Sequence, residues 1–205
     1  MPLKDQIKNL TRKLVEDKPD EAALGRMVRR MVRKSTVTRL HFRDDGIIPN
    51  HPHWPLLVYR RAVTLARGYD PAASIDALFS ANGWGRSWRD SIYDFLHYHS
   101  QIHEVLGVAK GHAIVEFGGI KGKRIMVRVG DIAILPAGTG HRLIEASKDL
   151  LIVGAYPADG TYDECTDTRD AVEARKRIAK TKRPKSDPVH GKRGGLLEAW
   201  KRGHN

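Results

Sequence analysis

Apolar residues recur with two different periods along this chain, and the change of period divides it. Near the start the spacing is helical. Leu3, Ile7, Leu10 and Leu14 fall three or four apart, and after Pro19 so do Leu24, Met27, Val28, Met31 and Val32. Asp20 is placed to cap the second of these helices. From Ile92 to Tyr156 the pattern becomes short apolar or alternating runs: IYDFLHYH, HEVLGVAKG, HAIVEFGG, KRIMVRVG, DIAILP, HRLIEA and DLLIVGAY. Gly, Pro, Ser or Lys turns separate them, which predicts an antiparallel sandwich or barrel.

Between these two regions, residues 41–55 hold three prolines and read as irregular chain. His51 and His53 flank Pro52 there and are expected to be exposed loop residues, with a cavity wall as the alternative. Residues 56–63, LLVYRRAV, predict a strand. Residues 70–84 predict a short helix with Asp70 as N-cap, Pro71 in the first turn and Gly83 as the stop. After residue 168 the charged run DAVEARKRIAK predicts a helix, and LLEAW near the end offers an apolar anchor. This organisation suggests a basic helical extension (1–36), a barrel domain (37–168) and a basic tail (169–205) that packs on the barrel or on a partner.

Charge changes the picture less than its total suggests. The net charge is +12, yet residues 41–168 carry 13 Lys/Arg against 15 Asp/Glu. Residues 1–40 carry 11 against 5, and residues 169–205 carry 12 against 4. The excess therefore sits on the two ends. A nucleic-acid or acidic-surface partner is an open alternative through Arg29, Arg30, Arg33 and Lys34, but a solvated basic face is the favoured reading. Cys165 is the one cysteine, so no intramolecular disulfide can form, which fits a reducing compartment. No apolar stretch reaches membrane-spanning length, and the first residues lack a secretory signal core, so a cytoplasmic protein is expected.

The candidate chemistry lies in HYHSQIHEVLGVAKG, residues 97–111. In extended chain, side chains two apart share a face, so His97 and His99 project together. Glu104 opens the next apolar run, where an antiparallel neighbour can bring it beside them, and His141 follows the tight turn LPAGTGH. Three imidazoles and a carboxylate suit Zn, Fe, Mn, Ni or Cu, with one or two positions left for water or substrate. His103 could compete with Glu104 as a ligand, but strand parity favours its pointing outward, and His112 belongs to the surface. Glu116, Arg124 and Arg128 read as a solvated face on hairpin strands.

These residues resemble the two motifs of the cupin superfamily. His97-x-His99-x4-Glu104-x6-Gly111 looks like the first, and Gly130-x5-Pro136-x-Gly138-x2-His141 like the second, with 18 residues between Gly111 and Gly130. Ser91 stands where the first motif opens with Gly, and Glu145 where the second closes with Asn. The wider run, together with DPVHGKRGGLLEAW, resembles the YjlB-like group of bacterial cupins, over roughly residues 40–200. The resemblance implies a mainly β fold, a double-stranded β-helix or jelly-roll barrel. It implies one divalent transition metal (Fe, Mn, Ni, Zn or Cu) held by His97, His99, Glu104 and His141. Gly111 and Gly130 are expected at strand ends that need positive φ or close packing.

The function expected is a metal-dependent enzyme of oxygenase or isomerase type acting on a small polar molecule. A non-catalytic small-molecule or metal-sensing cupin is the alternative. Tyr98, Glu145 and Tyr156 are the candidate residues around the metal. No dinucleotide or phosphate-cradling loop is visible. A homodimer is expected, because the apolar helix stripes and Trp200 need cover.

Overall fold

The computed structural model describes residues 21–65, 68–166 and 171–201. The predicted first helix and the Asp20 cap lie outside the described residues. The chain runs through helix α1 (Glu21–Met31) and strands β1 (Thr36–Leu40) and β2 (Leu56–Arg60), then helix α2 (Pro71–Ala81). Seven strands follow: β3 (Trp84–Asp90), β4 (Glu104–Lys110), β5 (His112–Phe117), β6 (Lys123–Arg128), β7 (Ile132–Leu135), β8 (His141–Ala146) and β9 (Leu151–Pro157). Helices α3 (Ala171–Lys180) and α4 (Gly195–Ala199) close the described chain.

The strands form two antiparallel sheets. One has six strands in the order β1-β2-β7-β4-β9-β3, and the other has three in the order β6-β5-β8. The inner face of the large sheet packs on the small one. Leu56, Val58, Leu106, Ala133 and Ile152 meet Ala113, Val115, Phe117 and Val127 there. This is a jelly-roll barrel, with its core between the sheets.

The large sheet is covered on its other face too. Leu57, Tyr59, Val105, Ile132, Ile134 and Val153 point away from the barrel and pack with Val28 and Met31 of α1, Ile75, Leu78 and Phe79 of α2, and Val189, Leu196 and Trp200 of the tail. Neighbouring residues such as Leu56 and Leu57 thus serve opposite cores. That is why β2 and β7 read as continuous apolar runs rather than alternating ones. Val28 and Met31 of α1 and Leu196 and Trp200 of the LLEAW anchor are buried within the chain itself. Trp200 is fully buried, its indole N–H donating to the Pro55 carbonyl at 2.9 Å.

Local chemistry explains several element ends. Asp70 accepts the Ala72 N–H at 2.9 Å and caps α2, with Pro71 in its first turn. Gly111 (φ +68°) and Gly130 (φ +84°) occupy the left-handed region at strand ends, as their positions predict. Two expectations change. Helix α2 is stopped by Gly83 (φ +79°, just past the Asn82 cap) as expected, but Trp84 is not part of it and begins β3, a strand hidden in the sequence by its bulge at Gly85–Trp88 and by the positive φ of Arg86. The run IYDFLHYH is not a regular strand. It bends at Asp94–Phe95 and is held by the Leu143 N–H on the Tyr93 carbonyl and by two isolated bridges, His97 to His141 and Tyr98 to Cys165.

Candidate metal centre

The histidine-bearing segment reaches the barrel by pairing with the start of β8. The His97 N–H donates to the His141 carbonyl at 3.2 Å and the His141 N–H returns to the His97 carbonyl at 2.9 Å. The His99 carbonyl accepts the Gly138 N–H at 2.7 Å, so the turn that carries Gly138 locks onto the same segment. Glu104 is the first residue of β4, opposite Leu135 of β7, and shares the inward face of β4 with Leu106. One group therefore comes from each sheet and two from the segment between β3 and β4, all at one end of the barrel.

There the side chains converge. The ligand atoms of His97, His99 and His141 lie within 4.8 Å of one another. Glu104 Oε2 faces His141 Nε2 at 3.3 Å and His99 Nε2 at 3.4 Å. All four residues are at most 5% exposed. Each imidazole is oriented from behind by a main-chain carbonyl at its Nδ1: Phe95 for His97 (3.1 Å), Asp163 for His99 (2.5 Å) and Thr139 for His141 (3.2 Å). Carbonyls accept, so each Nδ1 carries the hydrogen and each Nε2 is left with a lone pair.

The donor set fits a metal ion on an observation of its own. Glu104 Oε2 is buried and makes no hydrogen bond of good geometry, although two Nε2 atoms lie close to it. A buried carboxylate oxygen without a partner is costly unless a cation meets it. The donors also shift one another. Burial raises the Glu104 carboxyl, but the His99 and His141 imidazoles outweigh that and hold it well below the usual carboxylate range. Burial pushes the His97 imidazole down to about 3. Burial also lowers His99, but the Glu104 charge and the Asp163 carbonyl carry it upward overall.

A cavity of about 360 Å³ opens above these groups, walled by Trp88, Tyr93, Tyr156 and Tyr162 among others. Tyr156, expected near the metal, is here: its hydroxyl accepts the Trp88 indole N–H at 3.0 Å. Burial and the Glu104 carboxylate push the Tyr156 phenol above its ordinary value, so it stays protonated.

Tyr98 and Glu145 are elsewhere. Tyr98 alternates with His97 and His99, so its ring turns away into a cluster with Ile48, Ala137, Ala174 and Ile178. Glu145 is exposed on β8, beyond the end of the barrel that holds the cavity. Ser91, at the other departure from the motif pattern, does line the cavity.

Other histidine expectations are also corrected. His51 is 6% exposed, not a surface residue; its Nδ1 accepts the Trp54 N–H at 2.9 Å and its ring stacks on Trp54 at 4.2 Å. His103 does point away from His97, His99 and His141, as parity predicts, but into protein. It accepts the Ala137 N–H at 2.9 Å, sits 3.1 Å from the Lys182 carbonyl and packs on Trp200. Glu116 is buried beneath Arg124 and Arg142 and pairs with both. His53 and His112 are exposed.

Sequence reasoning missed Trp88, Tyr162 and Asp163. Trp88 lies in the bulged strand, and its indole covers Gly154 of β9 where a Cβ would collide with the ring. Tyr162 and Asp163 follow the turn after β9, where Asp159-Gly160 announces only a turn. Asp163 clamps that turn to the histidine segment. Its carboxylate accepts the N–H groups of Ser100 (2.9 Å) and Gln101 (3.0 Å) and the Ser100 hydroxyl.

Comparison with known proteins now places the chain. It is 40% identical over 160 residues to the uncharacterized protein YjlB of Bacillus subtilis (strain 168), covering 78% of this chain and 93% of that one. The chain belongs to the YjlB family. It matches no family model. Among solved structures, Bacillus subtilis oxalate decarboxylase is 15% identical, with 55% of this chain and 22% of that chain covered, at a TM-score of 0.32. The WlaRB TDP-quinovose 3,4-ketoisomerase from Campylobacter jejuni is 18% identical, with 44% and 74% covered, at 0.33. The chain thus spans under a quarter of the decarboxylase chain, and these faint likenesses carry no chemistry across. No helix among the described residues is long and apolar enough to cross a membrane.

Proposed function

We propose that this protein is a metal-dependent cupin enzyme, of oxygenase or isomerase type, acting on a small polar molecule. One observation carries the reading: four buried donor groups converge on the floor of a cavity large enough for a small ligand. His97, His99, Glu104 and His141 would hold a single Fe, Mn, Ni, Zn or Cu ion. When bound, such an ion supplies Lewis-acid chemistry and positions for substrate oxygen.

The chain's own residues do the rest. Three carbonyls fix the imidazoles so that Nε2 faces inward. Tyr156 accepts from Trp88, which leaves its hydroxyl hydrogen for the Glu104 carboxylate or a ligand. The aromatic walls limit the water that reaches the floor.

The reading includes a cytoplasmic homodimer and the division into a 37–168 barrel with basic additions at either end. A monomeric mass at micromolar concentration would remove the dimer. The central test is metal content, by mass spectrometry, of the purified protein and of its His97→Ala and His141→Ala variants. Near one equivalent in the parent, lost in both variants, is expected. A parent that holds none of these metals and takes up none would overturn the reading. A loaded protein that returns every bound small molecule unchanged would leave a sensing cupin in place of an enzyme.

A further inference from the structure

The walls of the cavity carry a second pattern, distinct from its floor. Trp88, Tyr156 and Tyr162 meet on one side: Tyr156 and Tyr162 lie 5.5 Å apart with rings at 74°, and Trp88 bonds the Tyr156 hydroxyl. Tyr162 also lies 5.0 Å from the His99 ring, so this aromatic wall reaches down to the donors. Tyr93 stands 5.3 Å from His97, and Ile92 and Leu106 also line the cavity.

What the walls lack is equally specific. No lysine or arginine lines the cavity among the described residues. Arginines on the same strands are committed elsewhere. Arg86, with its guanidinium 6.0 Å from the centre of the Tyr156 ring, donates to the Pro157 and Gly160 carbonyls. Arg89 pairs with Asp70 and Asp76, and Arg142 with Glu116. Apart from the donors and tyrosines, the ionisable lining group is Asp90. A carboxylate or phosphate held against these walls would lose water, gain no cation and face an acid.

We infer that the pocket takes a ring-bearing small molecule with adjacent oxygen atoms at one end and no anionic group at the other. Its ring sits against Trp88, Tyr156 and Tyr162, in the offset or edge-on arrangements that aromatic groups prefer. Its oxygens face His97, His99, Glu104 and His141. The oxygen end rests on the metal reading above; the ring end rests on the wall alone.

Three probes separate these elements in titration calorimetry of the full-length, metal-loaded protein. 4-Nitrocatechol has a ring and adjacent oxygens, oxalate has chelating oxygens and a second anion without a ring, and choline has a cation without a ring. The nitrocatechol is expected to bind about tenfold tighter than either of the others. Tyr162→Ala, at a half-exposed position where truncation spares the core, is expected to weaken it about two- to tenfold, the range of one aromatic pair. Tyr162→Phe is expected to restore it, and oxalate binding is expected to be the same in all three proteins. Oxalate or choline binding as tight as 4-nitrocatechol, or nitrocatechol binding indifferent to Tyr162→Ala, would overturn the inference. Metal content measured on the same samples keeps the two readings apart. If the parent proves metal-free, 4-nitrophenol, which needs no chelation, replaces the catechol. Tyr162-dependent binding then supports the ring seat, and its absence overturns it.

Discussion

The main-chain carbonyl of Asp163 sits 2.5 Å from Nδ1 of His99, a contact across 64 positions of sequence. The side chain of the same aspartate holds the N–H groups of Ser100 and Gln101, and Arg177 of α3 donates to the Ser100 hydroxyl at 2.6 Å. One residue thus joins the turn after β9 to the segment that carries two of the four donors.

Asp163 is therefore a positioning residue for His99. Replacing it with Ala frees the turn and the carbonyl that orients the imidazole. Metal affinity is expected to fall about 10- to 100-fold, the usual effect of losing such an outer contact, while the barrel stays folded. Competitive titration with a chelator, read beside circular dichroism, checks this. Unchanged affinity would show that the carbonyl holds its place without the carboxylate.

Stability should depend on acid through two histidines outside the donor set. Burial first, then His103 and His53, push His51 down to about 3 from an ordinary 6.5. Burial pushes His103 down to about 4, against a smaller upward pull from the Lys182 carbonyl. The unfolded chain therefore takes up these protons first as pH falls. The stabilisation is complete above about pH 6.5 and is lost progressively down to pH 3–4. Between pH 7 and 5 each histidine accounts for a loss on the order of 2 kcal/mol. His51→Asn keeps an acceptor for the Trp54 N–H but cannot titrate. Urea melts at the two pH values are expected to show a smaller difference in this variant than in the parent. An identical difference would exclude His51.

Trp200 is expected to be the main anchor of the tail. It is fully buried, stacked 5.4 Å from Trp54 with rings at 4°, and bonded to the Pro55 carbonyl. Trp200→Ala should cost about 3–5 kcal/mol in chemical denaturation, from lost burial and the cavity left behind. A cost below about 1 kcal/mol would mean that the anchoring is done by Asp187. Its buried carboxylate accepts the Tyr59 hydroxyl at 2.6 Å and the N–H groups of Val189, His190 and Leu196.

Hydrophobic period by itself determined the mainly β class, the runs that became β4 to β9 and the cap of α2, because strand alternation and helix capping are local properties. The shared face of His97 and His99 was legible for the same reason, and so was the turn of Tyr98 away from them, although the sequence had made Tyr98 a candidate. Only the tertiary structure decided what covers each outward face. His51 and His103 are buried because Trp54, Trp200 and the tail close over them, and no spacing near residues 51 or 103 reports a cover that comes from residue 200. Glu145 is exposed because β8 runs away from the donors after His141, which its motif position could not disclose. Tyr156 apart, the cavity walls were hidden most completely. Trp88, Tyr156 and Tyr162 meet through β3–β9 pairing and a turn pinned by Asp163. The chemistry of a pocket is set by side chains that converge in space, and sequence spacing records such convergence only within a single strand or turn.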